Sequence, residues 1–218
     1  MTLIRTLVAA AALAAAVPAF AAVVVLDFEG IANNTSVGDY YNGTGPAAKN
    51  FGIHFSDATL ALVDADAGGG GNFANEPSPD TIMFFLAANN AVLDVAAGFT
   101  TGFSFFYTSS TAATINVYDG LGATGNILGT LTLTAQFTGN NCKGDPTGQF
   151  CNWTAVGVAF AGTAKSIDFG GTANQTGYDN ITFGTDVPVG NAPEPSTYAL
   201  MALGLAAIGT VSRRRKAA

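Results

Sequence analysis

The stretch Gly102-Phe103-Ser104-Phe105-Phe106-Tyr107 decides the fold class. Phe103, Phe105 and Tyr107 share one parity, and Gly102, Ser104 and Phe106 share the other. Successive side chains alternate across a strand, so one parity turns inward as a set. Working outward, Thr114 to Tyr118 repeats the pattern, with Ile115 and Val117 between polar neighbours. Similar short runs occur at 23–28, 52–55, 59–63, 81–86, 91–95, 127–134, 155–160, 166–169 and 180–183, with Gly, Asn, Asp and Pro between them. No amphipathic pattern of helical period is sustained between these runs. About eleven short strands predict an all-β, jelly-roll-like antiparallel β-sandwich.

Composition agrees with a packed domain. The chain has 218 residues, 49% hydrophobic and 11% charged, which excludes disorder. Most of its basic residues sit at the two ends, so residues 22–192 keep three lysines against 14 acids, a formal net charge of −11. A phosphate-backbone binder needs clustered cations, which excludes nucleic acid as a partner. The longest irregular segment runs from Gly68-Gly69-Gly70-Gly71-Asn72 through Glu76-Pro77-Ser78-Pro79-Asp80 and reads as a flexible surface loop or, as the alternative, a binding loop.

The ends of the chain read as addresses. Arg5, the apolar run from Leu7 to Val17, Pro18 and the small residues around Phe20 follow the layout of a secretory signal. Ala19 and Ala21 flank Phe20 as the cleavage motif for signal peptidase, giving a signal peptide over 1–21 and a mature start at Ala22. At the other end Pro193-Glu194-Pro195 precedes an apolar stretch from Tyr198 to Val211, then Arg213, Arg214, Arg215 and Lys216. A helix of that length spans roughly 20 Å, short of a ~30 Å hydrocarbon core unless flanking residues join it. The basic cluster stays cytoplasmic, so a short transmembrane helix here would leave the body outside the inner membrane.

These C-terminal residues resemble the PEP-CTERM sorting signal of Gram-negative bacteria. The resemblance implies that an exosortase, a membrane cysteine protease and transpeptidase, reads Pro193, Glu194 and Pro195 as recognition residues. Two prolines hold such a segment extended and keep it out of the following helix, which suits a protease substrate. The organisation expected is a sandwich domain over 22–186, a linker over 187–192 and the sorting signal over 193–216. The protein would be exported, transiently anchored, and then placed at the cell surface or in the extracellular matrix.

Cys142 and Cys151 are the only cysteines, with Gly144-Asp145-Pro146 and Thr147-Gly148 between them. In an exported chain they read as a disulfide closing a local loop. Catalytic patterns are missing. No G-x-S-x-G or H-E-x-x-H motif occurs, and His54, the only histidine, lies between Ile53 and Phe55 with the opposite parity, facing solvent. A non-enzymatic protein is expected, although a carboxylate pair of glycosidase type is not visible from sequence alone.

Asp27-Phe28-Glu29-Gly30 opens the domain and Tyr178-Asp179-Asn180-Ile181-Thr182-Phe183 closes it. Asp179 shares the parity of Ile181 and Phe183, so it is expected to face inward, compensated by calcium or by a hydrogen-bonded turn. The two phrases also resemble the first and last strands of carbohydrate-binding-like sandwiches, including those that precede PEP-CTERM tails. That resemblance implies a structural calcium near the termini, with Glu29 and Asp179 as its ligands. For sugar stacking, Tyr40, Tyr41, Phe73, Trp153 and Tyr178 are the aromatics nearest to loops, with Trp153 placed to pack on the disulfide. The leading expectation is an exosortase-processed, non-enzymatic surface or matrix protein associated with extracellular polysaccharide or biofilm. The alternatives are a carbohydrate-binding module with one defined glycan ligand, favoured by an exposed aromatic strip, and a glycan-active hydrolase, favoured by two facing carboxylates in a cleft.

Overall fold

The computed structural model describes residues 23–44, 49–138, 142 and 148–190. Ala19 and Ala21 of the signal peptide, Pro193, Glu194 and Pro195 of the sorting motif, and the expected terminal helices lie outside the described residues. Within them the chain is all-β. Its strands are β1 (Val24–Leu26), β2 (Thr35–Ser36), β3 (Ile53–Phe55), β4 (Thr59–Val63), β5 (Thr81–Phe85) and β6 (Asn90–Phe99), then β7 (Gly102–Ser109), β8 (Ala113–Tyr118), β9 (Ile127–Leu133), β10 (Thr154–Ala159), β11 (Ala164–Gly170) and β12 (Thr176–Phe183).

Two antiparallel sheets form the sandwich. One runs β10-β7-β12-β5-β4-β2, with β1 also on β12; the other runs β3-β6-β11-β8-β9. Eleven strands coincide with the expected runs. The twelfth, β2, is two exposed residues held to Leu60 and Ala61 of β4, too short to leave a periodic signal.

The alternation in β7 is realised. Phe103, Phe105 and Tyr107 are buried between the sheets with Ile115, Val117, Phe169 and Phe183. Several core rings meet edge-on, which aromatic quadrupoles favour: Phe99 and Phe183 lie 4.9 Å apart and Phe169 and Tyr178 5.0 Å apart. First and last strands are neighbours, with Val24 opposite Phe183 and Leu26 opposite Ile181.

In β12 the structure corrects the expected parity. Tyr178 pairs with Tyr107 and Phe183 with Phe103, but the register slips between Asp179 and Thr182, where Asn180 takes a left-handed φ of 46°. A bulge moves every side chain beyond it to the other face. Tyr178, Ile181 and Phe183 therefore all enter the core, whereas Asp179 lines up with Phe106 on the outer face of the seven-stranded sheet. It is nonetheless fully buried, because a loop covers it.

Candidate functional site

The bulge marks a seam. Before it, Tyr178 of β12 pairs with Met83 of β5; after it, β12 pairs with β1. The segment 76–80 enters β5 across this seam, and the two terminal carboxylates fasten it. Asp179 Oδ2 accepts the Ser78 backbone N–H at 2.6 Å and Oδ1 accepts that of Asn180 at 2.6 Å. Glu29, just beyond β1, accepts the N–H groups of Asp80 at 3.0 Å and Thr81 at 2.8 Å on Oε1, and the Thr81 hydroxyl at 3.3 Å on Oε2. Asp179 and Glu29 thus fasten the same segment from two sides. All four carboxylate oxygens face N–H or O–H donors, while calcium takes six to eight oxygens, so this donor set fits a hydrogen-bonded clamp rather than the ion. Burial pushes Asp179 up to about 7 against the pull of its N–H donors, and the Glu29 charge adds to the rise. Nearby Glu76 is pushed up to about 8 by burial and by the charges of Asp64, Asp179 and Asp66.

The preceding part of the loop roofs the outer face of the same sheet. Its base is closed by Asp64 N on Asp80 O at 2.9 Å, and its tip pairs with the disulfide arm: Gln149 N donates to Asn72 O at 2.7 Å and Asn75 Nδ2 to Cys151 O at 3.1 Å. The expected Cys142–Cys151 disulfide is present, with Cα atoms 5.2 Å apart. Trp153 binds this roof, its indole N–H donating to Ala74 O at 3.1 Å and its ring set edge-on to Phe73 at 6.3 Å. Under the roof lies a small cleft of about 30 Å³ between Phe73, Phe84, Phe150 and Thr108. The aromatics expected near loops do not form a stacking platform. Tyr40, Tyr41, Phe73 and Tyr178 are buried and Trp153 is half-buried. Tyr41 instead donates toward Asp27 and receives the Phe28 N–H at 2.7 Å.

A second, open concavity of about 870 Å³ lies on the outer face of the five-stranded sheet. It runs along β3 and the bulged end of β6, where Ala96, Ala97 and Gly98 give it a lining of small residues. Half-buried Phe51 and exposed Leu121 border it. His54 and Asp94, directly paired across β3 and β6, supply polar groups with Asn42 and Asn50. His54 is exposed as expected, its Nδ1 2.8 Å from Asp39 Oδ1. The same oxygen accepts Asn42 Nδ2 at 3.1 Å, and these two contacts, His54 first, hold the Asp39 carboxyl below the usual range. Gly122 N donates to Asp94 Oδ1 at 2.7 Å; Asp94 Oδ2 has no partner among the described residues. Sequence reading missed this groove, because its residues come from separate elements that only the sheet register brings side by side.

Comparison with known proteins agrees with the tail. Residues 191–216 match the family model of the PEP-CTERM protein-sorting motif, a signal for exosortase-processed export. The chain has no match among curated proteins. Among solved structures it is similar to a family 6 carbohydrate-binding module, at 15% identity over 73% of this chain and 92% of that one, with a TM-score of 0.37. It is also similar to CsCBM6-3 from Clostridium stercorarium in complex with cellobiose, at 18% identity over 62% and 86% of the two chains, TM-score 0.36. A third is a glycoside hydrolase family 43 arabinoxylan arabinofuranohydrolase from Bacillus subtilis, at 19% identity over 58% of this chain and 24% of that one, TM-score 0.39. The chain thus spans about a quarter of that enzyme's length.

Proposed function

We propose that this is a non-enzymatic protein of the cell surface or extracellular matrix of a Gram-negative bacterium, delivered by signal peptidase and an exosortase, whose sandwich associates with extracellular polysaccharide. The match of residues 191–216 to the sorting motif carries the reading, since it joins an exported address to a domain of net charge −11 with low charge density. The inner membrane is then a transient partner, engaged until the tail is cut. Against a hydrolase stands the use of Glu29 and Asp179, which fasten backbone N–H groups and, for Asp179, lie fully buried away from any substrate. Against stacking on an aromatic strip stands the burial of Tyr40, Tyr41, Phe73 and Tyr178. The open groove on the five-stranded sheet supports contact with a chain molecule.

Mass spectrometry of protein recovered from its native surface tests the reading. The expected species begins near Ala22 and lacks Arg213 to Lys216. An intact basic tail on surface-recovered protein would overturn exosortase processing.

A further inference from the structure

We infer that the groove on the outer face of the five-stranded sheet takes a polysaccharide of amino sugars whose amines are free and protonated. This assignment rests on the polysaccharide reading and narrows it to one class of glycan.

The shape fits a sugar chain. At about 870 Å³ the groove has the size of ligand sites and is open to solvent. Small residues at Ala96 and Ala97 leave room for ring faces, and Phe51 and Leu121 offer apolar contact to their C–H groups. The amides of Asn42 and Asn50 suit sugar hydroxyls, being donors and acceptors at once.

The sign of the charge selects among sugars. Asp94 sits in the groove with one oxygen engaged by Gly122 N–H and the other without a partner among the described residues. Asp39 stands behind His54 as a second carboxylate. Among the described residues no lysine lines the groove, and Lys49 is tied to Asp27 at 2.6 Å. A uronic acid or sulfated glycan would meet repulsion from these carboxylates and from a body of net charge −11. A neutral glycan gains only ordinary hydrogen bonds there. A protonated amine gains a charge-assisted bond to Asp94 and is steered by the field of the whole domain.

Titration calorimetry of the full-length protein in detergent, with three hexasaccharides, tests this: glucosamine, N-acetylglucosamine and a uronic acid. The glucosamine hexamer should bind, more weakly as salt is added. Asp94→Asn, which keeps the acceptor for Gly122, should weaken that binding by about tenfold, the worth of one hydrogen bond to a charged group. Asp57→Asn, the same charge change at an exposed position outside the groove, should leave it within about twofold. Equal losses in the two variants would reduce the effect to non-specific polycation binding and overturn the inference. Equal or tighter binding of the acetylated or uronic hexamer would overturn it while leaving polysaccharide association standing. Binding of none of the three would remove both.

Discussion

Asp179 accepts the backbone N–H of Ser78 at 2.6 Å across 101 residues of sequence, and so ties the loop entering β5 to the bulge of the last strand. The bond forms where β12 exchanges β5 for β1 as its neighbour, a position where ladder pairing lapses and a side chain must supply the acceptor. Its energetics depend on pH. Burial raises the carboxyl from 3.8 to about 7, so ionisation is harder in the folded than in the unfolded chain. The contribution is fully present below pH 4 and is lost as pH rises through 7. A displacement of this size corresponds to roughly 4 kcal/mol. Unfolding free energies of the wild type and Asp179→Asn, measured from pH 4 to 8, should show the wild type losing stability relative to the variant as pH rises. A difference that stays flat or moves the other way would mean that the two N–H donors outweigh burial.

Glu29 performs the same service from the other side of the seam, and there the buried partner is Thr81, only 3% exposed. Glu29→Ala orphans the Thr81 N–H and should lower stability by about 2 kcal/mol; Glu29→Gln retains an acceptor and should cost less. Because the carboxylate oxygens are already engaged by donors, melting temperatures in calcium and in chelator should coincide. A calcium-induced rise that Glu29→Ala abolishes would restore the ion to this site.

Much of this architecture was legible in the sequence because the strands alternate. Phe103, Phe105 and Tyr107 declared the core face of β7, and their neighbours in β8 and β12 followed. The orientation of Asp179 was not legible, since a bulge at one Asn reverses parity without altering composition. Asn180, a residue type that tolerates a positive φ, was the one local signal available. Tyr40 and Tyr41 misled for a different reason. They lie in irregular backbone, yet Tyr41 packs edge-on against Phe28 at 5.9 Å and closes one end of the core. The groove had no sequence signature, because His54 and Asp94 meet only through the pairing of β3 with β6, and Asn42 joins them through its bridge to Asn50.

The disulfide arm carries its own prediction. Cys151 N donates to Phe137 O at 2.8 Å, and the arm's Gln149 and Phe150 both bond Asn72 O. Opening the Cys142–Cys151 bridge therefore loosens the roof over the seven-stranded sheet. Replacing both cysteines by serine should cost roughly 2–3 kcal/mol by the loop-closure estimate. Trp153 is the only tryptophan, so its emission reports this region directly and should shift to longer wavelength as the roof loosens. Non-reducing peptide mapping should recover one linked pair, and quantitative alkylation of both thiols without reduction would refute the bridge in the native protein.

Two adjacent hydroxyls in β7 should respond to removal with opposite signs. Thr108 is 1% exposed and its Oγ1 has no hydrogen-bond partner among the described residues. Ser109 is equally buried, but its hydroxyl lies 2.8 Å from Thr111 O, 3.1 Å from Gln175 O and 2.7 Å from the Thr176 hydroxyl. An unsatisfied buried hydroxyl retains its desolvation cost, so Thr108→Val, close in shape and well suited to a strand, should stabilise the fold by about 1 kcal/mol. Ser109→Ala leaves buried carbonyls short of a donor and should destabilise it by about 1–3 kcal/mol. Urea unfolding midpoints of the two variants decide the matter. If Thr108→Val unfolds earlier than the wild type, its hydroxyl has a partner in solution, and the small cleft beneath Phe73 is where a bound water would supply it.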